Sequence, residues 1–277
     1  MTDAGVRKMD PFDFAGRSVF VAGGTSGINL GIAQAFAGRG ARLTVISRSP
    51  ERVAAAVKSL EAEGAEALGF SADVRDPAAV SAAFAGAHKA FGAIDVLISG
   101  AAGNFPAPAL GMSPNGFKAV IDIDLIGTFN VLRTAHQFLR KPGASIVNIS
   151  APQAMHATPL QAHVCAAKAG VDMLTRVLCL EWGTEGIRIN SIIPGGISDT
   201  EGMARLAPTP EAKEAFRNVV PLGRFGTKED VANLALFLAS PLASYITGAV
   251  IPVDGGRTAN GDPGLGRVLA AASGQRP

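Results

Sequence analysis

Short apolar runs that alternate with helix-length segments constrain the fold of this 277-residue chain more than any other feature. Runs rich in Val, Ile and Leu favour strands that are buried on both faces, whereas the intervening segments carry apolar residues at helical spacing. The strands are predicted at 17–22, 41–47, 66–70, 94–99, 145–150, 187–193 and 249–253. The alternation predicts an α/β fold, a Rossmann-like doubly wound seven-stranded parallel sheet with helices on both faces.

The predicted helices span 28–39, 50–63, 77–91, 117–140, 160–183 and 229–239. No change in composition divides the chain, so a single domain over residues 1–277 is predicted. Within it we expect an N-terminal tail at 1–13 and a C-terminal tail at 257–277. Several prolines interrupt the helical pattern at 198–221, and this segment is interpreted as an irregular helical lid over a substrate.

Composition narrows the function classes. The chain is 48% hydrophobic and has a net charge of +2 with both signs dispersed, which argues against nucleic acid or a membrane surface as the main partner. Cys165 and Cys179 have no metal-ligand spacing and are interpreted as free thiols, so no metal site is predicted. No 18-residue apolar run, signal peptide or C-terminal Ser-Lys-Leu address is present, and a cytoplasmic location is expected.

A glycine cluster follows the first predicted strand. The turn from Gly23 to Ile28 reads Gly-Gly-Thr-Ser-Gly-Ile and leads into a helix. Glycines let the backbone approach a pyrophosphate closely, and the helix N-terminus offers free N–H groups. Nucleotide binding is therefore predicted, with contacts from Gly23, Thr25, Ser26, Gly27 and Ile28.

The ends of the next strands refine the cofactor. NAD sites usually place an acidic residue after the second strand, but here Ser47 and Arg48 stand there. An arginine can hold a 2′-phosphate, so the pattern favours NADP(H) over NAD. Asp73 and Val74, after the third strand, are expected to flank the adenine. Ala101, in the Gly-Ala-Ala-Gly turn after the fourth strand, is expected to border the cofactor.

A lysine-bearing helix completes a familiar set. The glycine turn, the Ser-Gly-Ala-Ala-Gly segment, Lys168 on a helix after the fifth strand and Pro194-Gly195-Gly196 after the sixth occur together. The set resembles the short-chain dehydrogenase/reductase superfamily over roughly residues 14–256. The usual tyrosine four residues before the lysine is Val164 here, and the usual serine is Ala151. The usual asparagine is Asp124, and the third glycine of the fingerprint is Asn29.

One branch of the superfamily is similar in these departures. Segments 101–105, 122–130, 194–202 and 240–250 resemble the peroxisomal-type 2,4-dienoyl-CoA reductases. Those enzymes also lack the tyrosine, carry a histidine where this chain has His163, and carry an aspartate at the Asp124 position. The resemblance implies NADPH-dependent reduction of a dienoyl-CoA or another unsaturated acyl-CoA thioester, and a homotetramer.

Reduction of a conjugated thioester builds charge on the thioester oxygen and needs a proton on carbon. A water held by Asp124 and Lys168 could deliver that proton, and the resemblance also gives Lys168 the nicotinamide ribose. His163 is a further candidate acid, although a lone histidine is often a structural hydrogen-bonding group. The resemblance implies that Asn104 and Phe105 position the thioester. Pro194, Gly195 and Thr200 are expected on the nicotinamide side of the cofactor.

Two other readings stay open at this stage. A displaced proton donor would allow a ketone or hydroxysteroid dehydrogenase, although Tyr245 is the only tyrosine and precedes the last strand. A catalytically inactive protein that binds NADPH is the other alternative. The retained lysine, Arg48 and glycine turns argue against the inactive reading.

Overall fold

The computed structural model describes residues 10–259, so most of the predicted N- and C-terminal tails lie outside the described residues. Seven strands form one sheet in the order β3-β2-β1-β4-β5-β6-β7, and every neighbouring pair is parallel. The strands are β1 (Ser18–Ala22), β2 (Arg42–Ser47), β3 (Ala67–Ser71), β4 (Val96–Ser99), β5 (Ser145–Ile149), β6 (Arg188–Pro194) and β7 (Val250–Val253). The predicted fold class is confirmed.

Helices cover both faces of the sheet. They are α1 (Gly27–Ala37), α2 (Pro50–Ala62), α3 (Pro77–Phe91), α4 (Pro114–Val120), α5 (Gly127–Ala135), α6 (Ala162–Trp182), α7 (Glu201–Leu206), α8 (Pro210–Arg217) and α9 (Lys228–Ala239). Along β1, Val19 and Val21 pack into the core beneath α1 and α9, whereas Phe20 packs with α3 and α5 on the other face. This alternation follows from the two-residue period of a strand. Among residues 10–259, every helix is too short or too polar to span a bilayer.

The continuous helix predicted at 117–140 is broken in its middle. A π-helical segment, Ile121–Ile126, separates α4 from α5, and a short 3-10 turn follows at His136–Phe138. The Thr128 hydroxyl donates to the Asp124 carbonyl at 2.7 Å, which satisfies a backbone group that the wider turn displaces. The extra residue per turn changes the helical phase at this point, and periodicity alone does not predict such a change.

The segment predicted as a lid, 198–221, contains the two short helices α7 and α8. Thr200 and Thr209 cap their N-termini, since each hydroxyl accepts a backbone N–H at 3.2 Å. Pro210 begins α8, where its missing N–H costs nothing. The prolines therefore divide this segment into short helices and do not leave it without helix.

Candidate active site

Two adjoining cavities lie over the carboxyl ends of the strands, where the strand order reverses between β1 and β4. The β2-side cavity, about 640 Å³, lies over the ends of β1, β2 and β3. The β5-side cavity, about 300 Å³, lies over the ends of β4, β5 and β6. Their shared lining is Ser26, Asn29, Gly100, Ala102, Gly103 and Glu201. A ligand with two ends can therefore occupy both cavities at once.

The glycine turn forms the junction of the two cavities. Gly23 has φ of +78°, and a Cβ there would lie 2.8 Å from the Ala101 Cα, so a side chain would collide with backbone. Gly27, the first residue of α1, has φ of +56°. The turn therefore needs glycine on steric grounds, and it presents bare backbone and the positive end of α1 to the cleft.

Asn29 links the two glycine loops. Its side-chain amide is buried and donates to the Gly100 carbonyl at 2.7 Å and to the Gly23 carbonyl at 3.3 Å. A Cβ on Gly100 would lie 2.3 Å from the Asn29 Oδ1, so that glycine makes room for the amide. Asn29, which stands at the position of the third fingerprint glycine, therefore connects the glycine turn after β1 to the loop after β4. Both of these segments border the cleft.

Basic residues border the β2-side cavity, and no acidic residue ends β2. Ser47, Arg48, Arg52 and Arg205 all belong to the lining of this cavity. The sequence predicted no role for Arg52, because a charged residue in the first turn of a helix is most often an ordinary exposed residue. The remaining side chains at this end are Ser49, Ala72, Asp73, Val74 and Glu201.

Asp73 borders the same cavity, and its carboxylate forms an ion pair with Arg75. Arg75 Nη2 lies 2.6 Å from Asp73 Oδ2, and its backbone N–H donates to Oδ1 at 2.9 Å. The hydrogen bonds from Arg75 lower the pKa of Asp73, so its carboxylate stays charged at neutral pH. Its backbone and carboxylate remain at the cavity edge, at the position where an adenine contact was predicted.

A buried ion pair lies at the base of the β5-side cavity. Lys168 Nζ is 3.4 Å from Asp124 Oδ2, and the side chains are 6% and 1% exposed. The Gly103 backbone N–H donates to Asp124 Oδ1 at 2.7 Å, and Lys168 donates to the Ile149 carbonyl at 3.0 Å. The pair thus joins the π-helical segment to α6 and is fixed by the loop after β4. Both residues border the cavity, where the remaining ammonium proton can meet a ligand or a water.

The groups around the pair are mostly apolar or lack partners. Val164, one turn before Lys168, is buried, and Ala151 borders the same cavity. The Asn104 Oδ1 is buried with no hydrogen-bond partner among residues 10–259. Asn104 borders the cavity, so a ligand or water could satisfy this oxygen. Tyr245 is fully exposed and borders a groove at the opposite ends of the strands, with Arg17 and Arg188.

His163 is not among the residues that border the two cavities. Its ring is fully buried, both ring nitrogens lack a partner among residues 10–259, and it meets Phe105 edge to face at 4.5 Å. Phe105 is likewise outside the lining of the β5-side cavity, whereas Asn104 is part of it. The structure therefore brings Asp124, Lys168 and Asn104 together and places His163 and Phe105 as a packed pair beside them.

The loop after β6 forms one wall of the β5-side cavity. Pro194, Gly195 and Thr200 border the β5-side cavity, as does Ile28. A Cβ on Gly195 would lie 2.7 Å from the Asp254 Cα, so the loop can pass only as glycine. The Thr200 hydroxyl is already used, since it donates to the Ile197 carbonyl at 2.9 Å and caps α7.

A second buried carboxylate lies one turn after Lys168 on α6. Asp172 is 4% exposed, and the Ser191 hydroxyl donates to its Oδ1 at 2.7 Å. Burial raises the pKa of Asp172, and the hydrogen bond from Ser191 offsets this only in part. Sequence analysis assigned nothing to Asp172, although a carboxylate on a buried helix face is itself a signal.

Comparisons with known proteins identify the family of the chain. The model of a family described as Enoyl-(Acyl carrier protein) reductase matches residues 22–258. A peroxisomal 2,4-dienoyl-CoA reductase of Rattus norvegicus, described as (3E)-enoyl-CoA-producing, is 49% identical over 253 residues, which are 90% of this chain and 86% of that protein. A "probable 2,4-dienoyl-CoA reductase" of Bacillus subtilis (strain 168), described as (2E)-enoyl-CoA-producing, is 42% identical over 89% of this chain and 98% of that protein.

A solved structure has the same architecture. The Pseudomonas aeruginosa RhlG/NADP active-site complex aligns with a TM-score of 0.84 at 29% identity, and the alignment covers 90% of this chain and 100% of that chain. The family match spans most of the chain, and the relatives are covered over most of their own length. The resemblance predicted from the sequence is confirmed: the chain belongs to the short-chain dehydrogenase/reductase superfamily and is an oxidoreductase with relatives named 2,4-dienoyl-CoA reductases.

Proposed function

We propose that the protein reduces a 2,4-dienoyl-CoA to an enoyl-CoA in fatty-acid metabolism, with NADPH as the reductant. The observation that carries the proposal is the buried Asp124–Lys168 pair, which borders a cavity where Val164 and Ala151 provide no hydroxyl donor. Such a site suits protonation of carbon through a held water better than protonation of an alkoxide by a phenol. The names of the rat and Bacillus relatives support the same substrate class.

The cleft fits a dinucleotide. The bare turn at Gly23 suits a pyrophosphate, and Arg48 at the end of β2 suits a 2′-phosphate, which favours NADP(H) over NAD(H). When bound, the reduced nicotinamide supplies the hydride. The residues that would hold the cofactor are Gly23, Thr25, Ser26, Gly27, Ile28, Ser47, Arg48, Asp73, Val74, Ala101, Lys168, Pro194, Gly195 and Thr200. The NADP complex of a structural relative is consistent with this choice.

Asp124 and Lys168 would manage the proton. Addition of a hydride to C5 of the dienoyl thioester leaves a dienolate, which takes one proton at C2 or C4 to give the enoyl product. Asp124 has one oxygen fixed by Gly103, so its orientation is set before the substrate arrives. A water bound between its other oxygen and the Lys168 ammonium would be held at the carbon face, and the ammonium would stabilise the negative charge that develops nearby.

The remaining polar groups of the cavity would bind the thioester. Asn104 borders the cavity beside the pair, so its side-chain Nδ2 is the donor that we assign to the thioester oxygen. Its Oδ1, which is buried without a partner among residues 10–259, would accept a hydrogen bond from a water or from the ligand. Phe105 and His163 would shape this wall from behind through their edge-to-face contact. The catalytic role predicted for His163 stays a prediction, and this mechanism does not use it.

The test is NADPH consumption by the purified protein with 2,4-dienoyl-CoA, 2-enoyl-CoA and 3-oxoacyl-CoA thioesters of matched chain length. We expect turnover with the dienoyl thioester and none with 3-oxoacyl thioesters or simple ketones. The double-bond position of the product, read by NMR, reports which carbon takes the proton. Turnover with ketones would favour a ketone or hydroxysteroid dehydrogenase. NADPH binding without turnover on any thioester would favour a cofactor-binding protein that is inactive.

We also propose a homotetramer in the cytoplasm. An exposed apolar strip runs along α6 through Met173, Val177 and Leu180, and Phe129 on α5 is exposed as well. Residues four and three apart share a helix face, so this strip can pair with its counterpart in a second copy. Sedimentation velocity is expected to give four copies, and Leu180→Glu is expected to reduce the assembly. A monomer at micromolar concentration would refute the oligomer.

A further inference from the structure

An ion pair joins two residues that line the β2-side cavity. Arg52, in the first turn of α2, has its Nη2 3.2 Å from the Oε1 of Glu201. Glu201 is the first residue of α7, so the contact joins the wall of the cavity to the segment at 198–221. The Ser49 hydroxyl, which accepts the Arg52 N–H at 3.2 Å, fixes the base of the arginine. The ion pair thus connects α2 to α7.

Glu201 has a second arginine on its own helix. Arg205 Nη2 donates to the other carboxylate oxygen, Oε2, at 3.2 Å, one helical turn away. The carboxylate therefore keeps one partner if Arg52 leaves it. When the Arg52 contact is lost, the Glu201 carboxylate stays paired with Arg205. The free-energy cost of the exchange of partners is therefore small.

The Arg52–Glu201 contact is also weak enough to be displaced. Both side chains are more than half exposed, at 57% and 55%, and an exposed pair of this kind contributes about 0–1 kcal/mol. A phosphate on a ribose carries more charge than one carboxylate and accepts paired hydrogen bonds from a guanidinium. Arg48, at the end of β2, borders the same cavity, so a 2′-phosphate bound there would meet both guanidinium groups.

We propose that Arg52 is a second ligand for the ribose 2′-phosphate, and that Glu201 occupies it until the cofactor binds. The proposal rests on the NADP(H) preference put forward above. Binding of the phosphate transfers Arg52 from Glu201 and removes a tie that holds α7 to α2. Glu201 is therefore a competitor of the phosphate within the protein.

The exchange reaches the substrate side of the cleft through α7. Met203 and Leu206, on the same short helix as Glu201, border the β5-side cavity. The Thr200 Cγ2 would lie 4.0 Å from a Cβ on Gly27, so α7 begins directly over the glycine turn. A phosphate that frees Glu201 thus acts on the helix whose side chains line the substrate cavity. By linkage, a substrate that favours the freed α7 would also tighten the phosphate.

The experiment measures binding of two probes by calorimetry to the full-length protein. Adenosine 2′,5′-bisphosphate carries the 2′-phosphate, and adenosine 5′-monophosphate lacks it. We expect Arg52→Gln to weaken the bisphosphate about tenfold and to change the monophosphate less than twofold. Glu201→Gln is expected to tighten the bisphosphate up to about fivefold. Lys58→Gln is the matched control, because Lys58 is exposed on the same helix and lies outside the cavity.

The outcomes separate the two proposals. If the parent protein binds both probes equally, the NADP(H) preference fails and this inference fails with it. If the parent prefers the bisphosphate but Arg52→Gln binds it as tightly as Lys58→Gln does, only the role of Arg52 is refuted. If Arg52→Gln weakens binding and Glu201→Gln leaves it unchanged, Arg52 is a ligand and the competition by Glu201 is refuted.

Discussion

Removal of one partner of the buried Asp124–Lys168 pair is the sharpest test of the site. In Asp124→Asn the Lys168 ammonium stays buried with only the Ile149 carbonyl as a partner among residues 10–259. In Lys168→Met the Asp124 carboxylate keeps only the hydrogen bond from Gly103. Breaking a buried pair in this way costs about 3–5 kcal/mol, because an uncompensated charge remains.

The double variant Asp124→Asn with Lys168→Met buries no charge. We therefore expect its free energy of unfolding to lie closer to that of the parent than either single variant does. Two independent losses would sum to about 6–10 kcal/mol, whereas the neutral double variant is expected to lose about 1–3 kcal/mol. The coupling between the two positions is then several kcal/mol.

Urea unfolding of the four proteins at one pH and one protein concentration gives this cycle. Turnover and cofactor affinity are measured on the same preparations. Asp124→Asn is expected to lose at least about a hundredfold in turnover and to keep its NADPH affinity within about threefold. Lys168→Met is expected to lose both, since Lys168 is assigned to the ribose as well. Asp122→Asn is the matched control, because its carboxylate lies on the same π-helical segment and pairs with Lys118 at the surface.

Additive losses in the double variant would show that Asp124 and Lys168 do not interact in the folded protein, and would refute the pair. Turnover of Asp124→Asn equal to that of Asp122→Asn would remove Asp124 from the mechanism, whatever the unfolding data show.

Three further outcomes follow from the site. Asn29→Gly removes the tie to Gly100, and we expect urea unfolding to show a loss of about 1–2 kcal/mol with weaker NADPH binding. Because burial raises the pKa of Asp172, the folded state holds the carboxyl proton more tightly than the unfolded state does. The contribution of Asp172 to stability therefore falls as the pH rises from the ordinary aspartate pKa, about 4, toward the folded pKa. The free energy of unfolding of Asp172→Asn in urea should accordingly grow relative to that of the parent as the pH rises above about 4, and a constant difference would contradict the assignment. His163→Leu replaces an unpartnered buried ring, so it should raise the free energy of unfolding by about 1 kcal/mol, and a loss would indicate a missed partner.

The strands and the glycine turns could be predicted from sequence because their causes are local. A strand buried on both faces requires a continuous apolar run, and β1 shows this directly in Val19, Phe20 and Val21. A side chain at position 23 would collide with the Ala101 backbone, so only glycine fits there, and this requirement is visible in the sequence. The predicted strand ends accordingly differ from the observed ones by only one or two residues.

Features that depend on distant parts of the chain were not predictable in this way. The π-helical turn at Ile121–Ile126 changes the phase of a helix whose apolar spacing looks regular. The Arg52–Glu201 contact joins residues that the sequence treats as unrelated surface charges. The sequence identifies Asn29 only as a departure from the third fingerprint glycine, because its partner carbonyl at Gly100 belongs to a loop more than seventy residues later.

The two buried carboxylates show how far the argument from charge can go. Both Asp124 and Asp172 are buried on helical segments, and an unpaired charge at either position would be costly. The fold resolves this cost differently at each site. Asp124 meets the Lys168 ammonium, whereas Asp172 meets the Ser191 hydroxyl, and burial raises the pKa of its carboxyl. A buried acid in a sequence therefore predicts a partner, but only the fold tells whether that partner is a cation, as at Asp124, or a hydroxyl, as at Asp172.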